Sequence, residues 1–86
     1  MVANMKGQAP TYTVDAATLF RGLMDGGSNA RVLLDLAAAN EIELHANAKD
    51  WNGLLWLIST ALKENGEAYS GEEYASLRNK LPVVFH

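Results

Sequence analysis

The chain has 86 residues, of which 49% are hydrophobic, 20% charged and none cysteine, and seven Lys/Arg against ten Asp/Glu leave a net charge of −3. A chain of this length supports one domain with a single modest core, and its apolar fraction excludes intrinsic disorder. Without cysteine there can be no disulfide framework, no thiolate metal centre and no cysteine nucleophile.

Residues 1–10 carry no hydrophobic periodicity and include Gly7 and Pro10, so a flexible N-terminal tail is expected there and a single helical domain over 11–86. With one lysine and no apolar stretch, the tail does not read as a secretory signal. No apolar run reaches the 18 or so residues of a membrane span. The cytoplasm is therefore the expected compartment, with no membrane partner.

Thr11-Tyr12-Thr13-Val14 is rich in β-formers and reads as a short strand or an extended lead-in to a helix. Asp15 is placed as an N-cap, followed at helical spacing by Ala16, Leu19, Phe20 and Leu23. Asp25-Gly26-Gly27 stops that helix, because glycine accepts the left-handed conformation beyond a helix end. Ser28 caps a second helix with an apolar face of Val32, Leu33, Leu36, Ala37 and Ala39. The short link between the two helices favours an antiparallel or sharply angled pair.

Glu41 to His45 alternates polar and apolar residues, a strand signal too brief to decide the matter; helix or an irregular turn is the reading adopted. A third helix follows, opened by Asn47 with Asp50 three residues later, a variant of the capping box. Its inward line is Trp51, Leu54, Leu55, Ile58, Ala61 and Leu62, and Asn65-Gly66 closes it. Ser70-Gly71-Glu72-Glu73 is an S-x-x-E capping box for a fourth helix with Tyr74, Leu77 and Leu81 turned inward. Pro82 ends it, and Val83-Val84-Phe85 is β-prone.

The fold class expected is thus mainly α, a compact bundle of about four short helices. The α+β alternative adds a small strand pairing between residues 11–14 and 82–86. That pairing would be marginal without a helix packed on it.

No catalytic signature is present: there is no G-x-S-x-G elbow, no H-E-x-x-H pair and no glycine-rich loop between a strand and a helix. Glu41, Glu43 and His45 would be neighbours on one face, but three groups from one segment leave a metal site half built, and no spacing elsewhere completes it. A solvated polar face is the reading adopted. An enzyme is not expected, nor a metal, cofactor or small-molecule ligand.

The informative feature is surplus hydrophobicity on the third helix. With Trp51 at 0° and about 100° per residue, Trp56 falls near 140° and Leu57 near 240°, away from the inward line. Either the helix is buried on most sides, or these residues belong to an interface, where tryptophan is enriched among hot spots. Four short helices can hardly enclose one of their number fully, so the interface reading is preferred, with Trp56 and Leu57 as contact residues. Leu34, off the apolar face of the second helix, and Gly53, which would admit a close backbone, join them.

The expected function is that of a small acidic protein–protein interaction module, a homodimeric regulatory accessory, inhibitor or adaptor of bacterial or phage type. Its partners would be a second copy and a further protein. The alternative is a helix-turn-helix-like nucleic-acid-binding regulator formed by the first two helices, with Asn29, Ala30 and Arg31 leading the second. Nucleic acid is nonetheless not the expected partner, because the cations stand singly and no basic patch forms to neutralise phosphates.

Overall fold

The computed structural model describes residues 9–86, so all but the last two residues of the expected tail lie outside the described part. The elements run β1 (Thr11–Thr13), α1 (Ala16–Met24), α2 (Asn29–Ala38), β2 (Glu43–Ala46), α3 (Ala48–Glu64), α4 (Gly71–Lys80) and β3 (Val83–Phe85). Of the described residues 59% are helical, and a small three-stranded sheet completes a mainly helical fold. A strand followed by two helices occurs twice, and a last strand completes the order.

Local chemistry accounts for the helix starts. Asp15 accepts a hydrogen bond from the Thr18 amide at 2.8 Å, and the Ser28 hydroxyl accepts from the Arg31 amide at 3.1 Å. At α3 the Asp50 carboxylate accepts from the Asn47 amide at 3.0 Å. Ser70 and Glu73 exchange both bonds of a capping box at 3.1 and 3.2 Å. Each such bond satisfies an amide that the helix itself leaves without an acceptor.

The Thr18 amide, with its hydroxyl second, also holds the Asp15 carboxyl below the ordinary carboxylate range. A depressed folded-state value adds stability above the unfolded value, and that stability disappears as the pH falls through the folded one. Asp15→Ala is therefore expected to cost about 1 kcal/mol at neutral pH. Urea titrations of both proteins should converge in strong acid, where the wild-type carboxyl is protonated.

The end of α1 differs from the expectation. Among the described residues the only glycine with positive φ is Gly66, at 73°, beyond α3. Gly26 and Gly27 do not supply a left-handed stop. Instead Arg31 reaches back from α2 and donates from Nε to the Gly22 carbonyl at 2.5 Å and from its terminal nitrogen to the Leu23 carbonyl at 3.1 Å. A guanidinium on the last carbonyls caps the helix and complements its negative end.

The sheet has the order β1-β2-β3 with both pairs parallel. Two corrections follow. Residues 43–46 form a strand, where helix or turn was expected, and it is the central one. The two terminal segments are both strands, but they pair with β2 on either side and not with each other. Thr11, Tyr12 and Thr13 lie opposite Glu43, Leu44 and His45, and Leu44, His45 and Ala46 lie opposite Val83, Val84 and Phe85.

Parallel neighbours need crossover connections, and these are right-handed as a rule. Two successive crossovers advancing in one direction place both helix pairs on one face of the sheet. Burial agrees: Leu44 and Ala46 are each 1% exposed, whereas Glu43 is exposed and His45 half-buried on the opposite side. The core joins Leu44 and Ala46 to Val14, Leu19, Leu34, Trp51, Leu54, Ile58 and Leu81. Among the described residues no helix lies over the outer face, with Thr11, Thr13, Glu43, His45 and Val84, although parallel sheets are usually covered on both sides.

Candidate functional site

α3 places the residues first singled out for contact. Trp51, Leu54 and Ile58 are its buried side, and Trp56 stands 66% exposed, the most exposed of the large apolar residues described. Leu57 is half-buried beside it in sequence. The Ser59 hydroxyl donates to the Trp56 carbonyl at 3.0 Å, within the helix. No hydrogen bond described at this position reaches beyond α3, and the indole is not among the described aromatic contacts.

Of the other two contact candidates, Leu34 is buried and Gly53 half-buried. Leu34 is 7% exposed and sits in the core. A Cβ built on Gly22 would come within 2.7 Å of its Cδ1, so the missing side chain of α1 makes the seat for Leu34. The buried stripe of α2 is Ala30, Leu34 and Ala37, while Val32 is 52% exposed. The face inferred from the larger side chains is therefore rotated from the real one. Gly53 does admit a close neighbour, but the neighbour is internal: a Cβ there would lie 3.1 Å from that of Ala16 on α1.

Arg31 bears on the helix-turn-helix alternative. Its guanidinium is spent on the carbonyls of Gly22 and Leu23, and Ala30 is buried. Of the three residues expected to lead a recognition helix, Asn29 alone is exposed.

A second cluster lies on the open face of the sheet, of which sequence reasoning placed Glu43 and His45 together and missed His86. Glu43 Oε1 lies 2.5 Å from His45 Nε2, and His45 Nδ1 lies 2.6 Å from His86 Nε2. The imidazoles are tilted by only 11° with centroids 4.9 Å apart. That separation is the N···N distance plus the two ring radii, so the rings meet edge to edge in one plane and do not overlap. The backbone holds the arrangement: the His86 amide donates to the Ala46 carbonyl at 2.9 Å, and the Ala48 amide to the His86 carbonyl at 2.7 Å. Glu43 and His45 come together through the two-residue repeat of β2. His86 joins them only because β3 runs parallel in this register, a fact no short-range signal encodes.

Glu41 stays outside the cluster, exposed and before the strand. Among the described residues no group of three or more His, Cys, Asp or Glu side chains is placed to hold a metal ion together, and no helix is long and apolar enough to cross a membrane. No protein-family model matches the chain, and no curated protein or solved structure matches it.

Proposed function

We propose that this protein acts by protein–protein contact, as a small acidic regulatory accessory, inhibitor or adaptor, and that the side of α3 carrying Trp56 and Leu57 is its contact surface. The observation behind this reading is the contrast along one helix: Leu54 and Ile58 are 0% and 2% exposed, and Trp56 between them is 66% exposed. An indole left in water on a helix with a well-formed buried side costs hydration free energy, and a partner that covers it recovers that cost. Tryptophan is also the residue most enriched among interface hot spots.

A second copy of the chain is the first partner to test. A core this small gains from self-association, and the −3 net charge is too low to prevent it. Light scattering behind a sizing column from about 1 to 100 μM, with tryptophan fluorescence read at each dilution, tests the reading. The expected result is a mass near twice 9.3 kDa at the upper end, with emission moving to the red as the dimer dissociates. A monomer with dilution-independent emission at all concentrations removes the second copy as partner.

A further inference from the structure

We propose that His86 is a phosphoryl-acceptor site, whose Nδ1 takes a phosphoryl group from a donor of the phosphoramidate class. His45 and Glu43 are its positioning residues and carry away its proton. The site lies on the outer face of the sheet and is independent of the contact surface on α3.

The chemistry follows from which nitrogen holds each proton. An ionised carboxylate can only accept. Glu43 Oε1, 2.5 Å from His45 Nε2, therefore fixes the proton of a neutral His45 on Nε2 and leaves its lone pair on Nδ1. That lone pair accepts the N–H of His86 Nε2 at 2.6 Å. The Nε2–H tautomer of His86 is selected in turn, and its remaining lone pair is on Nδ1, which no described hydrogen bond occupies. His45 is half-buried with both nitrogens engaged, whereas His86 is exposed with one nitrogen free. Of the two histidines in the chain, His86 is thus the one placed to act as a nucleophile.

The transfer balances within this arrangement. The His86 Nδ1 lone pair attacks phosphorus and forms the new N–P bond. The P–N bond of the donor breaks, and its electron pair leaves with the amine, as ammonia from phosphoramidate itself. Positive charge that develops on the His86 ring is relieved when its Nε2 proton crosses to His45 Nδ1. His45 is then an imidazolium between His86 and the Glu43 carboxylate, and nothing is oxidised or reduced. The hydrogen bond between the rings survives with donor and acceptor exchanged, so neither ring has to move. A base already in hydrogen-bond reach, backed by a fixed charge, is what general-base assistance requires.

The surroundings favour a covalent acceptor over a base in an enzyme. The described cavity at the start of the sheet is bordered by Ala37, Asn40, Glu43, Lys80 and Val83 and by neither histidine, so it cannot hold a substrate against His86. A donor reaches the ring from solvent or from a partner instead. Thr13 and Val84 flank His45 on β1 and β3 and carry no charge. The Glu43 carboxylate contacts the side of the His45 ring away from His86, so an incoming anion does not meet it. The backbone bonds of His86 to Ala46 and Ala48 keep its ring beside His45 before and after the transfer. A phosphoryl group outlasts an acyl group on imidazole in water, and it adds about −1.5 to −2 charges at neutral pH.

The test is incubation of the full chain with potassium phosphoramidate at neutral pH, followed by intact mass, phosphorus NMR and peptide mapping. Wild type is expected to take up one phosphoryl group, on His86 Nδ1, at least about 10-fold faster than N-acetylhistidine under the same conditions. His86→Gln, at an exposed position outside the core, should take up none. Glu43→Gln keeps an oxygen acceptor for His45 but loses the charge that stabilises the imidazolium. It should slow the transfer at least about 10-fold, with helix content and the His86 tautomer, read by nitrogen NMR, as in wild type. A wild-type rate no greater than that of N-acetylhistidine, uptake first at another residue, or a rate unchanged by Glu43→Gln overturns the proposal and leaves the pair as a hydrogen bond only.

Discussion

Replacing Trp56 by alanine is expected to abolish self-association while leaving helix content and urea stability almost unchanged. The side chain is 66% exposed and outside the buried cluster, so its removal opens no cavity, and surface changes of this kind shift stability by about 0.5 kcal/mol or less. Across an interface the same truncation removes a hot spot, at a cost of about 2 kcal/mol or more, or roughly thirtyfold in dissociation constant. Circular dichroism and light scattering on one sample separate the two effects. Loss of helix content on Trp56→Ala, in a protein monomeric throughout, would make Trp56 a core residue and end the interface proposal. Leu57 is half-buried, and its truncation should lower both quantities, which makes it the weaker probe.

The helices were legible because their signals are local. Asp15, Ser28, Asn47 with Asp50, and Ser70 with Glu73 cap the four helices where the side-chain chemistry placed them. Trp51, Leu54 and Ile58 form the buried side of α3, and Leu81 is buried with Tyr74 and Leu77 packed against the core. The face of α2 was read correctly at Ala37 and misread elsewhere, because its true stripe also holds Ala30, which weighs little beside Val32, and Leu34. Leu34 turns inward because Gly22 on another helix leaves room for it.

The sheet was illegible for a different reason. Parallel strands pair across long separations, and here each is only three or four residues long, too short for a periodic signal. Thr11–Thr13 and Val83–Phe85 were both β-prone, but nothing in either names β2 as the strand between them. Missing β2 also hid the histidine pair. His45 and His86 are 41 residues apart, and only the register of β2 and β3 makes them neighbours. In the sheet, what local chemistry does not show is one fact, the parallel register, with two consequences.

The opposite side of α3 should behave in the opposite way to Trp56. Leu54 is 0% exposed and lies in the cluster where α1, α2, α3 and the sheet meet, with Gly53 next to it letting α1 approach so closely that a Cβ there would stand 3.1 Å from that of Ala16. Such close packing prevents the surroundings from collapsing into a void, so Leu54→Ala should pay both the transfer and the cavity penalty, about 3–4 kcal/mol. In a domain of this size that is a large fraction of the total and lowers Tm by roughly 15 °C or more. Thermal and urea unfolding measure it directly, with the slope m unchanged if the unfolded state is unaffected. A loss below about 1 kcal/mol would mean that α3 is not the centre of the core. Its exposed side would then need a different account, because the argument for Trp56 as a contact residue depends on the other side of the same helix being fixed in place.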